Sequence, residues 1–133
     1  MKKKTSGRIP AVIIAGLALF AAIGSRTFLG ACVHEDGSFG TCHYAALAVC
    51  GTALVIMAEG IAAAAWNNAA ARRGLFLSAL LTGVLGILTP GTIIRLCTMA
   101  SMRCRTVMRP SMMILFSMIC VSAAAGMILT GEH

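Results

Sequence analysis

Four long apolar runs constrain this chain more than any other feature. They cover residues 9–29, 44–66, 74–94 and 110–129. A hydrocarbon core about 30 Å thick takes about 20 helical residues to cross, and each run is about that long. With 133 residues, the chain has room for four crossings, short connections and little else. Helices are expected rather than a barrel. They close their own backbone hydrogen bonds, and continuous apolar runs lack the alternation of barrel strands. The sequence predicts an all-α four-helix transmembrane bundle that forms a single integral-membrane domain over residues 1–133.

Composition agrees: 59% of residues are apolar and 11% are charged. A soluble domain is about half apolar and about a quarter charged. A water-soluble core of this size could not hide so much apolar surface, so the lipid bilayer is the first expected partner. The net charge of +7 is not a nucleic-acid signal. Lys2, Lys3, Lys4, Arg8, Arg72 and Arg73 belong to one set of span ends, and Arg26, Arg95, Arg103, Arg105 and Arg109 to the other. So even a split leaves the positive-inside bias nearly silent. The dense basic cluster at residues 2–8 and the preference of thiols for an oxidising exterior favour both termini in the cytosol.

Cys32 and Cys42 lie between the first and second runs, and Cys97 and Cys104 between the third and fourth. Two crossings separate the connections, so both face one compartment. The expectation is a cysteine-rich extracytoplasmic cap, with His34, His43, Met99, Met102 and Met108 beside the thiols. Three chemistries stay open there. Structural disulfides among the four thiols allow three connectivities, which sequence does not choose between. A soft-metal site for Cu or Zn would use Cys42, His43, Cys97, Met102 and Cys104, although no CxxC is present. Thiol–disulfide redox chemistry would draw on Arg95, Arg103 and Arg105 to activate a thiolate, again without CxxC. The cluster Arg95, Arg103, Arg105 and Arg109 reads either as a solvated rim or as a contact for lipid phosphates or an acidic partner. Cys50 and Cys120, inside spans, read as small hydrophobes.

Glu59 is the ionisable residue inside the second run. Trp66 marks the interface at that run's end, and seven residues at 1.5 Å each put Glu59 about 10 Å deeper. A carboxylate at that depth is costly and should face protein or water. It reads as a proton or ion group, as a contact for a partner helix, or as a Glu near the wet inner edge that is either neutral or locally paired, with Arg72 and Arg73 of the turn at residues 67–73 as possible partners. Arg26 is expected to snorkel to the headgroups. Pro90 is placed to kink the third helix, and Pro110 to open the fourth. The small residues at 62–65 and 122–126 read as packing surface. A rival reading of the first run is a lipoprotein signal ending at Cys32, but Arg26 interrupts it.

There is no phosphate-binding loop, HExxH, GxSxG or gating-charge array. The expectation is a non-enzymatic protein, without cofactor unless the Cu or Zn reading holds. Four short spans would make a complete transporter only as a homo-oligomer.

Cys32…Cys42-His43, an Ala-rich second run, then Pro90…Cys97…Met102-x-Cys104-Arg105…Pro110 resembles a family of small bacterial membrane proteins, domain of unknown function 4418. The family shows Met-x-Cys-His before its second span and Met-x-Cys-Arg after its third. Here Gly40-Thr41-Cys42-His43 lacks the first Met, and Met102-Arg103-Cys104-Arg105 keeps the second pattern. The resemblance implies a four-span protein of the bacterial inner membrane. It also implies an accessory or regulatory role beside a larger assembly such as an ABC-type exporter permease. No catalytic residue carries over.

Overall fold

A computed structural model describes residues 7–27, 41–89, 92–93 and 104–131; the side chains of residues 41–43 and 104–105 lie outside that description. Among the described residues four α-helices form: α1 (Arg8–Arg26), α2 (Thr41–Ala65), α3 (Ala69–Leu88) and α4 (Arg109–Gly131). A π-turn, Cys104–Met108, runs directly into α4. All four helices are long and apolar enough to cross a bilayer.

Each helix packs against its neighbour in sequence, and α1 closes the ring against α4. Neighbours run antiparallel. Gly60, near the end of α2, sits against Ala11 and Ala15, near the start of α1. Gly126, near the end of α4, sits under Phe76, near the start of α3.

The two halves of the bundle close differently. Between α1 and α2 the contact is backbone on backbone. A Cβ added at Gly60 would lie 3.0 Å from Ala15 N and 3.1 Å from Ala11 O. Buried Ala11, Ala18, Ala21, Ala45 and Ala53 continue this small-residue seam. Such surfaces drive helix association in lipid, where packing replaces the hydrophobic effect. Between α3 and α4 the contact is ring on glycine. Phe116 lies over Gly86 and Phe76 over Gly126, and both rings are fully buried. The outer faces carry Val12, Leu54, Leu81 and Val121, all exposed, as lipid-facing side chains should be.

Helix ends depart from the expected spans where local chemistry overrides hydropathy. α3 begins at Ala69, not at residue 74, because the Asn68 side chain caps it, accepting from Ala70 N at 3.0 Å. An Asn at this position satisfies an amide the helix leaves orphaned. The same helix stops at Leu88, not at residue 94, with Thr89 as its C-cap. It therefore contains no proline kink; Pro90 lies outside the described residues. The first helix ends at Arg26, whose exposed cation in the last turn suits the helix dipole. Pro110 is the second residue of α4, not its start, because the π-turn precedes it. A proline ring clashes with the carbonyl four residues back and offers no N–H. A wider π-turn is a recognised way to absorb such an insertion.

Candidate functional site

Two polar features interrupt the apolar bundle, and both lie toward the end that carries the α2–α3 turn. The deeper one is Glu59. Ser78, on α3, donates a short hydrogen bond to Glu59 Oε1. The other carboxyl oxygen, Oε2, is buried and has no partner among the described residues. On α3, Thr82 returns its hydroxyl to Ser78 O at 2.8 Å, so the next polar side chain along the helix is committed to its own backbone. The pair closes the seam between α2 and α3.

The expected pairing of Glu59 with Arg72 does not form. Arg72 is only 8% exposed and turns the other way. Its Nε donates to Ala63 O at 3.0 Å and its Nη2 to Trp66 O at 2.6 Å. These carbonyls end α2, where no further helical amides follow to satisfy them. A guanidinium presents several donors in a fixed fork, and a cation at a helix C-terminus also meets the favourable end of its dipole. Arg72 thus does for the end of α2 what a glycine cap does elsewhere.

The same guanidinium lies close to the start of α1. A Cβ at Gly7, just before α1, would meet Arg72 Nη1 at 2.8 Å and the Thr130 hydroxyl of α4 at 3.5 Å. The other expected partner of Glu59, Arg73, lays its guanidinium beside Gly131 at the end of α4. Arg8 Nη2 donates to Asn67 Oδ1 at 3.0 Å, tying α1 to the α2–α3 turn. Arg8 and Arg72 thus tie α1, α2 and α3 together at this end through hydrogen bonds, with Arg73 beside the end of α4.

Cys50 and Cys120 behave as the small hydrophobes expected, with one refinement. Both are free thiols. Cys120 also donates a weak S–H bond to Leu80 O at 3.7 Å.

The cap chemistry falls elsewhere. Cys32, Cys97, Met102, Arg95 and Arg103 lie outside the described residues, as do the side chains of Cys42, His43, Cys104 and Arg105. The disulfide, metal and redox readings all rest on them. Arg109 is described, half-buried at the start of α4. Among the described residues, no group of three or more His, Cys, Asp or Glu side chains is placed to hold a metal ion.

A family model matches residues 12–129, from the first helix through the last. The chain belongs to the DUF4418 family, a domain of unknown function. No curated protein and no solved structure matches it. Membership covers the bundle and both connections that carry the cysteines. The Cys104-Arg105 pair of the family pattern falls on the π-turn that leads into α4.

The Glu59–Ser78 contact makes a definite energetic prediction. Removing one partner of a buried hydrogen bond leaves the other unsatisfied, at a cost of about 1–3 kcal/mol. Replacing both with apolar groups of similar shape is close to neutral. Ser78→Ala should therefore destabilise the bundle by about that amount, and Ser78→Ala combined with Glu59→Met should recover most of it. Unfolding in mixed detergent micelles reads both. A double variant as unstable as the sum of its parts would show that the seam does not depend on this bond.

Proposed function

We propose that the chain is a non-enzymatic component of a larger membrane assembly, an accessory or regulatory subunit of the kind that stands beside an ABC-type exporter permease. The reading places it in the bacterial inner membrane with both termini in the cytosol. One observation carries it: the interior is filled and the outer faces are open. Phe116 seated on Gly86 and Phe76 seated on Gly126 leave no room between α3 and α4. The Ala and Gly seam closes α1 on α2 down to backbone contact. At most 44% of any spanning stretch is buried within the chain, so most of each helix is available to lipid or to another membrane protein. A bundle built this way works through its surface. Glu59, committed to Ser78, serves packing in this reading.

The test is capture from membranes. Tagged protein, solubilised mildly and purified, should bring down an ABC-type permease in a fixed ratio, and cross-linking from the outer faces of the helices should join the two. Recovery of the chain alone under conditions that preserve known membrane complexes would overturn the proposal.

A further inference from the structure

The stapled end of the bundle has a second property, independent of any protein partner. An open hollow of about 480 Å³ lies at the α2–α3 turn, lined by Ala65, Trp66, Asn67 and Asn68. Arg8 is not itself a lining residue but donates to one of them, Asn67 Oδ1, at 3.0 Å. That bond uses one nitrogen of a group that carries five N–H donors. Trp66 is 58% exposed, and Ile61, 56% exposed, lies one helical turn before the lining residue Ala65 on the same face of α2. Arg8, Arg72 and Arg73 all lie at this end. Among the described side chains the acidic residue is Glu59, inside the bundle, where one carboxyl oxygen accepts from Ser78.

We propose that this hollow binds the headgroup of one anionic phospholipid. The lipid phosphate meets the Arg8 guanidinium, the headgroup hydroxyls meet Asn67 and Asn68, and the upper acyl chain runs beside Trp66 and along the Ala65–Ile61 face of α2. The chemistry is complementary in each part. A planar guanidinium suits a phosphate, amides suit a polyol, and an indole prefers headgroup depth, where one edge is wet and the other apolar. Zwitterionic lipid presents the same phosphate but brings its own cation, which the basic surroundings disfavour. The attraction of a basic residue near the surface for anionic lipid corresponds to about a fivefold preference per charge.

Trp66 is the one tryptophan in the chain, so it reports on this hollow alone. The full chain is reconstituted in phosphatidylcholine vesicles containing a small fraction of brominated lipid, either brominated phosphatidylglycerol or brominated phosphatidylcholine. Brominated phosphatidylglycerol should quench Trp66 more strongly at equal mole fraction, with an apparent preference of about fivefold at low salt that shrinks as salt rises. Arg8→Gln should abolish that difference. Arg26→Gln, at the opposite end of the bundle, should leave it intact. Equal quenching by the two lipids would overturn the proposal. So would an Arg8→Gln variant, folded by circular dichroism, that keeps the preference, or an equal loss with Arg26→Gln, which would reduce the effect to net charge.

Discussion

Phe116→Ala should destabilise the bundle by about 3–5 kcal/mol, among the largest effects of any single change. The ring is fully buried, and it lies where Gly86 leaves space for it: a Cβ at Gly86 would come within 2.6 Å of ring carbon Cε1. In lipid the loss is one of packing contacts rather than of hydrophobic transfer, because the cavity lining loses partner atoms on one side. The converse change is also informative. Gly86→Ala overfills the same contact and should cost about 1–3 kcal/mol. Phe116→Leu should relieve part of that cost, because it withdraws the atoms the new methyl meets. Phe76 and Gly126 form the matching pair, with three ring carbons within 2.9 Å of a Cβ at Gly126. The two pairs sit at different depths of the α3–α4 seam, so their effects should add. Unfolding of each variant in mixed micelles measures all of this. A Phe116→Ala variant as stable as the parent would show that the ring is not seated as described.

Arg72→Met should cost about 3–6 kcal/mol, since it removes two charge-assisted hydrogen bonds of about 1.5–3 kcal/mol each. It leaves the carbonyls of Ala63 and Trp66 without these donors at the end of α2. Methionine keeps the volume of the stem, so the loss belongs to the guanidinium. Arg72→Lys should fall between the two, because an ammonium lacks the fork that reaches two carbonyls in one plane. Hydrogen exchange should localise the damage. The last turn of α2 should exchange faster in Arg72→Met, while the Phe116 region should not change. Uniform acceleration across all four helices would mean that Arg72 supports the whole bundle rather than this end.

Much of the fold is legible in the sequence because bilayer thickness is a hard constraint. Runs of the right length and polarity reduce the choices to one architecture, and all four helices lie within or close to the runs. The ends are less legible. Asn68 starts α3 early through a side-chain cap, and a π-turn lies ahead of Pro110, and neither registers in hydropathy. The depth of Glu59 is readable by counting from Trp66, but its partner is not chosen by charge. Arg72 is close in sequence, yet the unsatisfied carbonyls of α2 are closer in space to its guanidinium and claim it. Ser78 was findable in principle. Folding α2 and α3 back on the short turn at residues 66–68 brings it to nearly the same depth as Glu59. The Phe–Gly pairs follow from the same antiparallel register, but sequence alone does not say which glycine faces which ring.

The even number of crossings between the two cysteine-bearing connections is the most direct thing to measure. Short protease-cleavable tags inserted near residues 36 and 100, at the 66–68 turn, and at the C-terminus can be probed in sealed vesicles of known orientation. The first two should be cut from one side, and the last two from the other. Cleavage of the tags near residues 36 and 100 from opposite sides of the membrane would contradict the four-span arrangement on which every contact described above depends.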